Sequence, residues 1–140
     1  MITALLLAVA CGTDVLVSYS HEDEAVAVHL VKRLERDGYR VQYSSRDVQI
    51  APLKPQIRES IETADAMVVI LSEHSLASDW VRRELRQAKQ SDVPIYPVRV
   101  CSVAVVEDSG HWIRGWYSPD MRSGFRPAYR TLIRELAKLP

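Results

Sequence analysis

The chain has 140 residues, 47% of them hydrophobic and 26% charged, and its 18 basic residues are matched by 18 acidic ones. That length and apolar content suit one ordinary globular domain with a real core. Zero net charge excludes a general nucleic-acid binder, which would carry a basic excess. Two cysteines, Cys11 and Cys101, and four scattered histidines give no metal-ligand or redox spacing.

Residues 1–13 open with the apolar run "MITALLLAVAC". No Lys or Arg precedes the run, as a secretory leader would require, and it is too short to cross a bilayer as a helix. They are expected to form an N-terminal extension that packs on the domain or continues a longer chain. The domain proper is then 14–140, in the cytoplasm and without a membrane segment.

The elements follow in chain order. "DVLVSYS" (residues 14–20) is short, β-branched and apolar, and reads as the first strand. "SHED" matches a capping box, with Ser20 accepting from the backbone of Asp23 and the Asp23 carboxylate reaching back. The helix it opens carries Ala27, Val31 and Leu34 on one face and stops at Gly38. "YRVQY" alternates as a second strand, and a loop over residues 44–55 follows. Pro55 suits the first turn of a second helix, whose stripe is Ile57, Ile61 and Ala64. "AMVVIL" is apolar throughout, as a central strand covered on both faces should be.

Ser78 is a good N-cap for a third helix with Val81, Leu85 and Ala88 inward. "PIYPVRV" is a fourth strand in which Pro97 removes a ladder bond, so one side should be poorly paired. Residues 101–124 read as a loop with room for a fifth strand, Trp112 and Trp116 covering a sheet edge. "RPAYRTLIRELAKL" closes the chain as an amphipathic helix with Tyr129, Leu132, Ile133 and Leu136 inward.

Strands alternating with helices imply βαβ units and a mostly parallel sheet covered on both faces. The expected fold is a flavodoxin-like three-layer α/β sandwich with strand order 2-1-3-4-5. Ligands in such sheets bind beyond the carboxyl ends of the strands, where the order reverses between strands one and three. That brings "SYSHE" near "SEHSLASDWVRRE" and puts Trp80 and Glu84, one helical turn apart, at the mouth of the crevice. A phosphate-accepting receiver would need an aspartate at the end of strand three, where Leu71 and Ser72 stand. A flavin or dinucleotide loop would need glycines after strand one, and "SYSHEDE" has none.

The string "DVLVSYSHEDE", then "DGYRV", then "IRESIETADAMVVILSEHSLASDWVRREL" and "PIYPV" resembles the Toll/interleukin-receptor (TIR) domain family, its bacterial members above all. The resemblance runs in register over residues 14–98 and more loosely through the last helix. Many TIR domains cleave NAD+ at the nicotinamide–ribose bond, and others are adhesive modules that gather signalling partners. In the enzymatic branch the catalytic glutamate follows a tryptophan by four residues, which the resemblance carries onto Glu84 and Trp80. It further implies that Tyr19, Ser20 and His21 contact the nucleotide, and that the 44–55 loop covers the substrate and joins in assembly. NAD+ is then substrate and no cofactor is required. Other TIR domains are the expected partners, in defence or signalling.

The chemistry suits a single carboxylate. Glycosidases usually need two, one to protonate the leaving group and one to attack or activate water. Nicotinamide is cationic while attached and leaves neutral, so no general acid is needed. One anion in a dry pocket stabilises the positive charge that develops on the ribose. Exclusion of water would let the adenine attack instead, so hydrolysis and cyclisation both stay open.

By residue type alone, Glu84 is a solvated helix glutamate and Trp80 a packing anchor. Against this, the same-face neighbours of Glu84 are Trp80, Val81, Gln87 and Ala88, none basic, while Arg82, Arg83 and Arg86 face elsewhere. The chain departs from the enzymatic pattern in the loop after strand two. Ser44 stands where an aspartate is common, Ala51 where a glycine is usual, and Leu53 where a bulky aromatic is frequent. The alternative to catalysis is a non-catalytic module that recruits other TIR domains through that loop and the third helix.

Overall fold

The structure, a computed structural model, describes residues 12–43 and 55–140. Four parallel strands, β1 (Asp14–Ser18), β2 (Arg40–Tyr43), β3 (Ala66–Leu71) and β4 (Ile95–Arg99), form one sheet in the order β2-β1-β3-β4. Leu16 lies opposite Gln42 on one side and Met67 on the other, so β1 and β3 are the central strands. β3 is buried along its whole length, as its unbroken apolar run requires.

Among the described residues six α-helices accompany the sheet: α1 (Glu24–Arg36), α2 (Pro55–Thr63), α3 (Glu73–Ala77), α4 (Asp79–Gln90), α5 (Val103–Asp108) and α6 (Phe125–Leu136). Strand alternation divides the core in two. Val15, Val17, Val68 and Ile70 face Leu30 and Leu34 of α1 and Tyr129, Leu132 and Leu136 of α6. Leu16, Met67, Val69 and Leu71 face Ile61 of α2 and Val81, Leu85 and Ala88 of α4. The result is the three-layer sandwich that the alternating pattern implied. On the first face Tyr129 locks α6 to the end of α1, its hydroxyl donating to Asp37 Oδ2 at 2.5 Å.

Helix ends obey local chemistry. Gly38 takes φ +98°, which a side-chain-bearing residue rarely adopts, and closes α1 after Asp37. Ser78 caps α4 by accepting from the Val81 backbone N–H at 3.2 Å. Ser20 makes no such cap. Residues His21–Asp23 form a 3-10 turn before α1, Ser20 Oγ bonds Glu22, and Asp23 turns away to Ser72. The capping box sits instead at Ser72 and Ser75 at the head of α3, a helix the sequence did not announce.

Three further expectations are corrected. No fifth strand forms among the described residues: β4 meets only an isolated parallel bridge from Arg99 to Asp120. The physical reason is proline on both sides. The Met67 amide of β3 donates to the Pro94 carbonyl and the Val100 amide donates to the Leu71 carbonyl of β3, so positions 94 and 100 face β3 and position 97 faces away. Pro97 therefore leaves a gap on the outer side of β4, and Pro119 opposes it there. Residues 101–124 are not merely loop, since Ser102 caps α5 and a 3-10 turn covers Met121–Ser123. Trp112 and Trp116 pack edge-to-face at 5.4 Å, with Lys89 of α4 over the Trp112 ring at 4.6 Å, so they lie on the helix layer and not on the sheet edge. Ile113 between them supplies the buried contact.

Candidate active site at the carboxyl edge of the sheet

The alternation that sends Val15 and Val17 to one face sends Leu16 and Ser18 to the other, toward α4. Ser18 is the last residue of β1, and Glu84 stands on the second turn of α4. The Ser18 hydroxyl donates to Glu84 Oε1 at 2.9 Å, and both side chains are 0% exposed. A carboxylate sealed from water costs several kcal/mol unless it is hydrogen-bonded. Glu84 is therefore no solvated helix glutamate. Trp80, one turn earlier on the same helix face, is 5% exposed and lines the cleft that Glu84 does not reach.

Above this pair a cleft of about 410 Å³ opens across the ends of β1 and β3. Ser20 and Glu22 form one wall, and Glu73, His74, Ala77, Ser78, Asp79 and Trp80 the other. The volume is that of a small-molecule site. Three carboxylates against one histidine favour a cationic group, and Ser20's hydroxyl holds Glu22 below the usual carboxylate range, which keeps it charged. Through Glu73 and His74 the cleft adjoins a second one of about 370 Å³, lined also by Asp23, Ser72, Ser102 and Arg122. Burial pushes the Asp23 carboxyl up, against the opposing pull of its bond from Ser72.

The residues singled out from sequence are distributed as follows. Ser20 and Trp80 line the cleft and Glu84 is buried short of it. Tyr19 is buried on the opposite face, its ring 6.4 Å from that of Tyr43. His21 is exposed at the start of the 3-10 turn and does not line the cleft. Ser44 and Leu53 lie outside the described residues. Among the described residues no group of three His, Cys, Asp or Glu side chains could hold a metal ion, and no helix is long and apolar enough to cross a membrane.

The model of the TIR domain family matches residues 15–133, nearly the whole of this fold and all of the cleft. The chain belongs to the TIR domain family. Two solved TIR structures show the same fold. The TIR domains of the activated Roq1 resistosome, which directly recognises the pathogen effector XopQ, superpose with a TM-score of 0.71 at 15% identity, covering 91% of this chain and 98% of that one. The TIR domain of the Toll-related receptor TRR-2 from Hydra magnipapillata gives 0.66 at 22% identity, covering 87% and 96%. No curated protein sequence matches the chain.

Within this TIR domain, sequence reading missed Ser18, Asp23, Ser72 and His74 as parts of the site. Ser18 was within reach, because strand parity from Leu16 places it on the α4 side. The serines at positions 72, 75 and 78 recur every third residue, a capping rhythm that carries polar groups along the cleft wall.

Proposed function

We propose that this TIR domain cleaves NAD+ at the nicotinamide–ribose bond, with Glu84 as the catalytic carboxylate. The observation that carries the reading is Glu84 itself, fully buried, tethered to Ser18 and one helical turn from Trp80 beside an acidic cleft at the carboxyl edge of the sheet. A buried anion so placed is costly to the fold and useful to a reaction that builds positive charge on a ribose. The negative cleft suits the cationic nicotinamide ring, which departs neutral and needs no acid. Ser20 and Trp80 frame the ribosyl group, Tyr19 and His21 belong to the loop that meets the nucleotide, and Ser44 and Leu53 to the loop that covers it. Water or the substrate's own adenine completes the reaction, giving ADP-ribose or a cyclic ADP-ribose.

Because Glu84 is sealed, the reading entails that the two walls of the cleft, carrying Ser20 and Trp80, part when substrate enters. Assembly with other TIR domains, in a cytoplasmic defence or signalling role, supplies the trigger for that opening. The Roq1 TIR domains, observed in an activated resistosome, are consistent with such gating. A second reading is favoured by the same burial: a hydrogen bond from Ser18 to a sealed glutamate also serves a purely structural role, in a module that only recruits other TIR domains. Nicotinamide release from NAD+ at high protein concentration with a crowding agent, wild type beside Glu84→Gln, separates the two. Release by the wild type alone supports catalysis. Silence from both, with the chain folded and self-associated, supports recruitment.

A further inference from the structure

A run of hydrogen bonds at three-residue spacing connects the loop after β1 to the start of α4. Asp23, on the 3-10 turn, accepts from the Ser72 hydroxyl. Ser72 Oγ in turn accepts from the Ser75 backbone N–H at 3.0 Å, and Ser75 Oγ from that of Ser72 at 2.8 Å. The Ser75 carbonyl accepts from the Ser78 N–H at 3.1 Å, and Ser78 Oγ caps α4 at Val81. Trp80 lies inside the turn so capped. Asp23, Ser72 and Ser75 are all buried, at 9%, 4% and 1% exposure, where hydrogen bonds are stronger than in water.

We propose that Asp23 is a positioning residue: its bond to Ser72 is a strut between the two walls of the cleft, and the serine run behind it sets the placement of Trp80 one turn before Glu84. The inference rests on the NAD+-cleaving reading for its kinetic consequence but not for its geometry. A five-residue helix has little stability of its own, so α3 takes its position from what holds its first residue. Ser72 is held on one side by the end of β3 and on the other by Asp23. A buried carboxylate is an expensive way to fasten a turn even with the Ser72 hydroxyl and His74 facing it, and a turn that merely needed closing has the Ser72–Ser75 box already. The expense is explained if the second wall must be registered against the first. Misplacement of a reacting group by about 1 Å costs on the order of a hundredfold in rate.

The test uses the full chain with Asp23→Ala, which removes the strut and leaves the Ser72–Ser75 box, and Asp23→Asn, which keeps an acceptor. The indole N–H resonances of the three tryptophans report the walls independently of any activity. In Asp23→Ala the Trp80 signal should move while those of Trp112 and Trp116 stay. Turnover in nicotinamide release should fall about tenfold or more with KM little changed, and Asp23→Asn should restore both. A folded Asp23→Ala with Trp80 unmoved overturns the strut. Movement of Trp80 without loss of turnover in an active protein reduces Asp23 to a structural part and overturns the positioning role. If the wild type releases no nicotinamide, the catalytic reading falls while the Trp80 signal still decides the strut. Should Asp23→Ala not fold, Asp23→Ser shortens the side chain away from Ser72 and keeps the Ser72–Ser75 box, and the Trp80 signal is read in it against Asp23→Asn.

Discussion

Replacing Glu84 with glutamine should make the domain more stable while making it inactive. The side chain is 0% exposed and accepts from the Ser18 hydroxyl at 2.9 Å. Held as an anion in such a place, as the catalytic reading requires, the carboxylate costs several kcal/mol of lost hydration, of which a charge-assisted hydrogen bond returns about 1.5–3 kcal/mol. Glutamine has nearly the same volume, keeps an oxygen for Ser18 and carries no charge to desolvate. The neutral bond is worth about 1 kcal/mol, so the net gain is about 1–3 kcal/mol. For a domain of this size each kcal/mol moves Tm by about 4 °C, giving a rise of about 4–12 °C. Thermal melts followed by circular dichroism near neutral pH, beside Glu84→Ala, measure it. The alanine variant should melt lower, since emptying a packed site costs about 2–4 kcal/mol whatever the charge. A glutamine variant that melts well below the wild type would refute the reasoning and make Glu84 a structural anchor.

Other expectations follow from charge and packing elsewhere. Burial raises the Asp23 carboxyl, so its ionised form weighs on the fold: the associated stability is full below the unfolded pKa near 4 and is lost as pH rises through the folded one. The groups facing it are Ser72, His74 and Glu22, with Glu73 and Arg122 across the second cleft. Asp23→Asn should therefore gain on the wild type between about pH 4 and 7 in urea melts, and a gain independent of pH would contradict the assignment. The Asp120 carboxyl, hydrogen-bonded by the Arg122 side chain, should titrate at about 2 by NMR and move up in Arg122→Ala. Its contribution to stability is lost as pH falls toward that value. Tyr129→Phe removes the hydroxyl that donates to Asp37, and should lower the unfolding free energy by about 1–2 kcal/mol without disturbing nicotinamide release.

How far the sequence could be read depended on whether the deciding signal was local. Residue periodicity located the four described strands to within two residues and the long helices to within about three, because burial on one or both faces writes itself into alternation. Ser78 and Gly38 were legible as caps since their chemistry involves only adjacent backbone. The misreading of Ser20 has the opposite cause. Asp23 sits at the right spacing to reach back to it, and its capture by Ser72, forty-nine positions away, is a tertiary contact that no local pattern contains. The fifth strand was suggested by the architecture and denied by two prolines, each visible in sequence, whose opposition across one edge was not. At the site, the pairing of Trp80 with Glu84 was readable from helical spacing. The burial of Glu84 was only hinted at by its apolar neighbours, and its tether to Ser18 required knowing which way β1 turns its side chains.

Pro97 has a consequence for how copies of this domain can meet. A sheet edge with its amides free is an invitation to another chain's strand, and proteins that must avoid fusing side by side blunt that edge. Here the outward positions of β4 are Ile95, Pro97 and Arg99, and the row of donors is broken in its middle by a proline without an N–H and beyond it by Arg99, whose amide is taken by the Pro119 carbonyl. A neighbouring molecule cannot extend the sheet from β4 by continuous backbone pairing. Contacts on this flank must be made by side chains, which separate when conditions change, and an assembly so joined stays reversible where a continuous β-sheet would lock.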